Sequence, residues 1–332
     1  MADQQTKDNL NFWADLPRPF FMLAPMADVT DVAFRRIIAK YGKPDVMYTE
    51  FVSVDGLCSP QGRPKLLIDL AYSDIERPIV AQIFGSKPEN FFQVAQLIKT
   101  LGFDGIDINM GCPEQSINRK QCAGAELIRH PELAAEIVAA TKAGAGGLPV
   151  SIKTRIGYFQ DDTATWIPAL LKMQPKALII HGRTKKDMSK VPARWSSIGR
   201  AVELARGSGV LIVGNGDVNS LAEAKAKVAE FGVDGVMIGR GIFGNPWLFT
   251  GRSGSETPLP QKLAVMVEHA YLFEELLGQH KPFAIMKKHF KAYVSDFPHA
   301  RELRAGLMAV KSAAEAEVLV QRELQFKNRP TD

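Results

Sequence analysis

The chain has 332 residues, 46% hydrophobic and 23% charged, an ordinary globular composition that suits one large domain with an appendage, or two domains. Its three cysteines, Cys58, Cys112 and Cys122, show no C-x-x-C spacing; they argue against a metal site and for a reducing compartment, the cytoplasm. The net charge of +5 permits an anionic partner without demanding one, and no apolar run reaches the roughly 18 residues of a membrane span.

Residues 1–17 are polar, lack the apolar stretch of a signal peptide, and are expected to lie outside the main core as an N-terminal extension. A rhythm then begins. Short apolar runs at residues 20–24, 46–50, 79–83, 105–109, 149–153, 177–181, 210–213 and 235–238 each end in glycine, proline or a polar residue. Amphipathic stretches fall between them at 31–41, 88–101, 131–143, 163–172, 198–204 and 221–231. Strands alternating with helices imply a parallel sheet, and eight such units predict a (β/α)8 TIM barrel over residues 18–252. An open doubly wound sheet is the rival architecture, but the Gly-x-Gly-x-x-Gly fingerprint after a first strand is missing.

A barrel puts its working groups at the C-terminal ends of its strands. The first run ends Ala24-Pro25-Met26-Ala27, the second in Glu50 and the third near Gln82. The fourth, I-D-I-N-M-G-C-P, puts Ile106 and Ile108 on one face and Asp107 and Asn109 on the other, then breaks at Gly111-Cys112-Pro113. The position before proline favours an extended backbone, so Cys112 leaves the strand at its tip, placed either as a catalytic thiol or as a small apolar filler. The fifth run carries Lys153 and Arg155 on one face, and the sixth ends His181-Gly182-Arg183. The last two end Asn215-Gly216-Asp217 and Gly239-Arg240-Gly241. Those glycines either close two tight turns or let backbone N–H groups approach a phosphate, with Arg240 supplying charge. Lys185, Lys186, Lys190 and Arg194 add cations to the loop after the sixth run.

Residues 253–260, rich in Ser, Gly, Thr and Pro, read as a linker. Beyond it strand signals stop. Helical patterns at 261–277, 283–294, 299–309 and 310–326 predict a small all-helical bundle over residues 261–332, with Pro282 in the first turn of its helix. Lys287, Lys288 and Lys291 crowd the second of these helices, as a solvated face or as a phosphate-binding one.

Taken together, A-P-M-A, A-Q-I-F-G, I-D-I-N-M-G-C-P, N-R-K-x-x-A-G-A, I-K-T-R-I-G, I-H-G-R-T, G-N-G-D and G-R-G-x-x-G-N-P-W resemble the tRNA-dihydrouridine synthases, from about residue 22 to residue 248. The resemblance implies a bound FMN, reduction by NADPH, and selected uridines of tRNA as substrate; no metal and no membrane partner are expected, and a monomer is expected. It implies a wall for the flavin ring at Pro25, Met26 and Ala27, and flavin contacts from Gln82, Lys153 and His181. Asn215, Gly216, Asp217, Gly239 and Arg240 would hold the phosphate, while Asn109, Arg155 and Arg183 would sit at the substrate. Lys185, Lys287, Lys288 and Lys291 would hold tRNA phosphates. Hydride would add at carbon 6 of the uracil, and Cys112, protonated at neutral pH, would give the proton at carbon 5. Two departures stand out: Gln121 and Cys122 where the family usually has glycine or a small apolar residue, and a longer N-terminal extension. A flavin barrel acting on a free pyrimidine-like metabolite, or a flavin-free RNA-binding barrel, are the rival readings.

Overall fold

The computed structural model describes residues 11–114, 122–295 and 297–327. Nine strands form one parallel sheet: β1 (Phe20–Leu23), β2 (Met47–Tyr48), β3 (Val52–Ser53), β4 (Ile79–Phe84), β5 (Gly105–Met110), β6 (Val150–Arg155), β7 (Ala177–His181), β8 (Leu211–Asn215) and β9 (Gly235–Ile238). Their order is β1-β9-β8-β7-β6-β5-β4-β2, with β3 also paired to β4. The ring closes through a parallel bridge between Met22 and Val46, where the Leu23 N–H donates to the Val46 carbonyl at 3.2 Å. This is the expected (β/α)8 barrel. The longer helices between the strands are α1 (Val32–Gly42), α2 (Pro88–Thr100), α3 (Pro131–Ala145), α4 (Thr163–Lys172), α5 (Trp195–Ala205) and α6 (Leu221–Phe231).

Strand alternation sorts the core into two shells. Ile83, Ile106, Ile108, Ile152, Ile180 and Val236 point outward and pack with the helices. Phe20, Met22, Tyr48, Val80, Ile179 and Val213 form a separate cluster within the ring. Trp13 belongs to that inner cluster, only 2% exposed, in a short turn (Phe12–Ala14) that brings its ring 5.8 Å from that of Phe20. Trp13 departs from the expectation that residues 1–17 lie outside the core, because it packs within the ring beside Phe20; residues 1–10 fall outside the described residues.

The second predicted run is split. The Thr49 N–H still donates to the Val80 carbonyl at 3.0 Å, but its hydroxyl accepts from the Gln82 N–H at 3.1 Å, in place of a backbone carbonyl. The next residue, Glu50, turns out of the ladder. Its carboxylate accepts from the Asp28 N–H and from Lys281, 2.8 Å away, and Lys281 also lies 2.7 Å from Asp69.

Beyond the barrel come α7 (Leu259–Leu277), α8 (Met286–Tyr293), α9 (Ala300–Leu307) and α10 (Ala313–Lys327). α7 begins inside the stretch read as a linker, with Pro260 in its first turn, and Pro282 caps a short turn (Phe283–Ile285) that precedes α8. The helical segment shares a core with the barrel. α1 is buried on two sides: Phe34 and Ile38 pack on the barrel, whereas Val32, Ala33 and Ile37 join Leu263, Met266, Phe273 and Phe290. Helical spacing of three and four residues puts each set on its own stripe.

Lys281 is a largely buried ionic tie across this junction; the side chains of Lys281, Glu50 and Asp69 are 14%, 7% and 20% exposed, and a more exposed tie joins Lys40 to Glu268 at 2.6 Å. Lys281→Met leaves two carboxylates facing each other with no cation between them. Urea unfolding of that variant is expected to show a loss of about 3 kcal/mol, with part of it recovered when Glu50→Gln is added.

Candidate active site

A cavity of about 560 Å³ opens where the strands end. Its lining includes Pro25, Met26, Gln82, Asn109, Cys112, Lys153, Arg155, His181, Arg183, Asn215, Gly216, Asp217, Gly239 and Arg240, so most of the site residues expected from the sequence converge on one space. Ala27 does not. It is exposed on the turn after β1, and Ala24 takes its place in the wall. Lys185, Lys287, Lys288 and Lys291 also lie outside the lining. On α8, Met286, His289, Phe290 and Tyr293 face inward, while Lys288 and Lys291 are exposed and Lys287 is half-buried. The N-R-K stretch at 118–120 and Gln121 fall outside the described residues. Cys122 is half-buried and does not line the cavity.

A run of buried hydrogen bonds builds the floor. Ser151 donates to Asp107 at 2.6 Å, and Gln82 Nε2 donates to the other Asp107 oxygen at 2.7 Å. Asn109 Nδ2 donates to Gln82 Oε1 at 3.0 Å. The oxygen of Asn109 then accepts from the N–H groups of Gly111 and Cys112 at 3.0 and 2.9 Å. The thiol is thus seated by the side chain of the strand that carries it. Arg155 braces the same turn, donating from Nε to the Gly111 carbonyl at 2.7 Å and from Nη1 to the carbonyls of Thr184 and Met188, both at 3.1 Å. On the far side, Lys153 donates to Asn215 Oδ1 at 3.2 Å, and Asn215 Nδ2 donates to the Met237 carbonyl at 2.8 Å.

Several residues have work other than the contact expected of them. Arg183 grips Asp217 with two bonds, at 2.7 and 2.5 Å, and is 3% exposed. Asp217 also accepts from the Ala193 N–H at 2.8 Å and sits 3.6 Å from Arg240. A carboxylate beside a phosphate would repel it, so Asp217 acts on that corner indirectly, by holding the two arginines. Asn109 likewise spends its amide on Gln82 and on the Cys112 turn. Sequence reasoning passed over Asp107, although its alternation with Ile106 and Ile108 marked it as facing the barrel interior. It also passed over Phe51, which packs with Phe84 and Ala123 beside Cys112.

The electrostatics follow from burial. Burial, then the neighbouring Arg155, lowers the Lys153 pKa to about 8, with Asp107 pulling the other way; at neutral pH the ammonium is mostly retained. Burial raises the Cys112 thiol above its ordinary value, so it stays protonated. His181 is pushed well below its usual value by burial and by Arg155, Lys153, Arg183 and Arg240, which leaves a neutral imidazole. The cavity therefore combines a seated neutral thiol with a cationic wall, an arrangement suited to an anionic ligand and to proton donation. Among the described residues no group of three or more His, Cys, Asp or Glu could hold a metal ion, and no helix is long and apolar enough to cross a membrane.

The family model for dihydrouridine synthase (Dus) matches residues 22–329. A probable tRNA-dihydrouridine synthase of Staphylococcus aureus (strain MRSA252) is 41% identical over 315 residues, which is 93% of this chain and 94% of that one. The probable tRNA-dihydrouridine synthase 2 of Bacillus subtilis (strain 168) is 42% identical over 316 residues, 93% of this chain and 95% of its own. Among solved structures, histamine dehydrogenase from Rhizobium sp. 4-9 superposes on 76% of this chain and 48% of its own with a TM-score of 0.54 at 14% identity, a likeness of fold.

Asp107 makes the floor sensitive to pH. Burial raises its pKa to about 6, against the roughly 3.9 of an unfolded chain. The folded state holds the proton more tightly, so the stabilising contribution is complete below the unfolded value and is lost as pH rises through the folded one. The unfolding free energy of the wild type relative to Asp107→Asn should fall by about 3 kcal/mol between roughly pH 4 and pH 7. Guanidinium titrations at a series of pH values measure it, and a flat difference contradicts the assignment.

Proposed function

The chain belongs to the dihydrouridine synthase family, and from that premise we propose that it reduces the 5,6 double bond of uridines in tRNA, with FMN held in the cavity and NADPH as the source of electrons. The observation that carries the reading is the Cys112 turn, fixed by the Asn109 side chain at the mouth of a cationic cavity.

The residues present suit FMN. Gln82 keeps one amide N–H beyond its bond to Asp107, and Lys153 and Asn215 add an ammonium and an amide, groups that match the carbonyls and ring nitrogens of a flavin edge. A Cβ built on Gly239 would approach Ala24 Cβ to 3.6 Å and Met26 Sδ to 3.7 Å, ordinary contact distances, so the neighbouring protein leaves this space to the cavity. Arg240 beside it, with its side chain 63% exposed, supplies charge for a phosphate. When bound, FMN supplies the hydride that adds to carbon 6 of the uracil.

The protein's own groups do the rest. As carbon 6 accepts the hydride, the electron pair of the double bond moves toward carbon 5 and the adjoining carbonyl. Cys112 gives its proton to carbon 5 and is left as a thiolate, which regains a proton from solvent. Arg155 and Asn109 keep the thiol in place during the transfer and act as positioning residues. Lys153 offsets negative charge at the flavin edge. The uracil must leave its stack to reach this depth. In this reading residues 18–252 hold the flavin and residues 261–332 hold tRNA through phosphates, with Lys287, Lys288 and Lys291 as contacts and 253–260 joining the two parts.

Cys112→Ala is expected to keep its flavin and its reduction by NADPH but to lose roughly 10²–10⁴ in the rate of uridine reduction. Cys122→Ala should keep most of that rate. Dihydrouridine formed in tRNA and FMN released on denaturation are the readouts; FAD in place of FMN, or an active Cys112→Ala, refutes the assignment.

Replacing Lys287, Lys288 and Lys291 together with glutamine should weaken tRNA binding and flatten its salt dependence by roughly one unit for each phosphate that is no longer neutralised. These variants suit the question better than a truncation, which would strip the cover from Val32, Ala33 and Ile37. An unchanged salt slope sinks this role for α8.

A further inference from the structure

Phe159 is 63% exposed, the largest exposure among the big hydrophobic residues of the described chain. It lies four residues beyond Arg155, on the turn that follows β6 at the working end of the barrel. Exposed apolar side chains are commonplace when single and mobile. This one is braced. Its ring sits edge-on to Tyr158, with centroids 4.6 Å apart, and the Arg129 guanidinium lies 5.3 Å from the Tyr158 ring centre and 5.8 Å from that of Phe159. Glu126 ties the group together, accepting from Tyr158 at 2.6 Å and from Arg129 at 2.7 Å. The loop after β7 is stitched to the same turn: the Lys185 and Lys186 N–H groups donate to the carbonyls of Gly157 and Tyr158, each at 2.9 Å, and Lys185 Nζ lies 5.0 Å from the Tyr158 ring centre.

The carboxylates nearest this ring already have partners: Asp161 accepts from Ser197 and Thr163, and Asp162 accepts from the Tyr158 N–H at 3.2 Å. Glu126 is committed to Arg129 and Tyr158, and Asp187 in the neighbouring loop is committed to Arg194 and Thr184. Among the described residues Lys185 and Lys186 form no ion pair with a carboxylate. A rigid aromatic face bordered by cations matches an unpaired nucleotide: the base stacks on the ring and its phosphate meets the lysines. We propose that Phe159 is a stacking platform for an unpaired base of the tRNA near the uridine that enters the cavity, with Lys185 and Lys186 holding the adjoining phosphate. This rests on the tRNA substrate of the proposed function and adds a binding site outside the cavity lining.

Stacking and charge predict different signatures, and full-length protein binding to tRNA at several salt concentrations separates them. Phe159→Ala should weaken binding about tenfold with the salt slope unchanged, and Phe159→Leu, which keeps apolar bulk but has no π face, should lose nearly as much. Phe159→Trp should bind as tightly as the wild type or more tightly. Lys185→Gln with Lys186→Gln should instead flatten the slope by roughly one to two units. Thermal melting checks that each variant is folded. Wild-type affinity in Phe159→Ala, or in Phe159→Leu, overturns the platform, the latter because apolar bulk would then suffice without a π face to stack on. If the wild type binds and reduces tRNA while Phe159→Ala is indifferent, only this inference falls. A wild type that neither binds nor reduces tRNA removes the proposed function and the platform with it.

Discussion

The side-chain oxygen of Asn109 takes the N–H groups of Gly111 and Cys112, and the mouth of the barrel depends on that choice. A side-chain acceptor there turns the chain at the tip of β5 and lifts the thiol above the cavity. The Asn109 nitrogen in turn holds Gln82, and Gln82 with Ser151 holds Asp107. Polar groups buried this deeply must be satisfied by one another, and a linked set of them is rigid because moving one member strands the next. Thiol, floor and neighbouring strands therefore hold their positions as one unit.

The same burial sets the charge balance. Lys153, Arg155, Arg183 and Arg240 crowd the lining, while Asp217 is its only carboxylate among the described residues. Asp217 draws Arg183 out of play and leaves Arg240 more exposed than bound, its side chain 63% exposed. Burial first, and then the crowding of cations, explains the neutral His181 and the lowered Lys153 alike, since each neighbouring positive group makes the next proton harder to hold.

Much of this was legible in the sequence because strand alternation is a local signal. Ile106 and Ile108 against Asp107 and Asn109 announce a strand with a working face, and a polar group recurring at the tips announces a barrel mouth. Contacts between distant residues leave no such trace. Nothing near Arg183 predicts that Asp217 will occupy it, and nothing near Glu50 predicts Lys281. Trp13 was missed because one aromatic residue in a polar stretch creates no period. Ala27 was misplaced because the path of the turn after β1, on which Thr30 accepts from the Met26 N–H at 2.9 Å, decides which alanine faces the cavity. Met286, His289, Phe290 and Tyr293 recur at helical spacing on the inner face of α8, a regularity that the sequence carries but that did not enter the reading of its lysines.

The two-sided burial of α1 bears on how the protein is made. On a chain growing from its N-terminus, Val32, Ala33 and Ile37 emerge long before the helices that cover them, which begin at Leu259. The barrel strands can pair while that stripe is still open to water. The final closure is a long-range event in which α7 and α8 return to the first helix, a type of contact that forms slowly. Until then the nascent protein carries an apolar groove that other chains can occupy, so pairing of the barrel strands and covering of that groove are separate events.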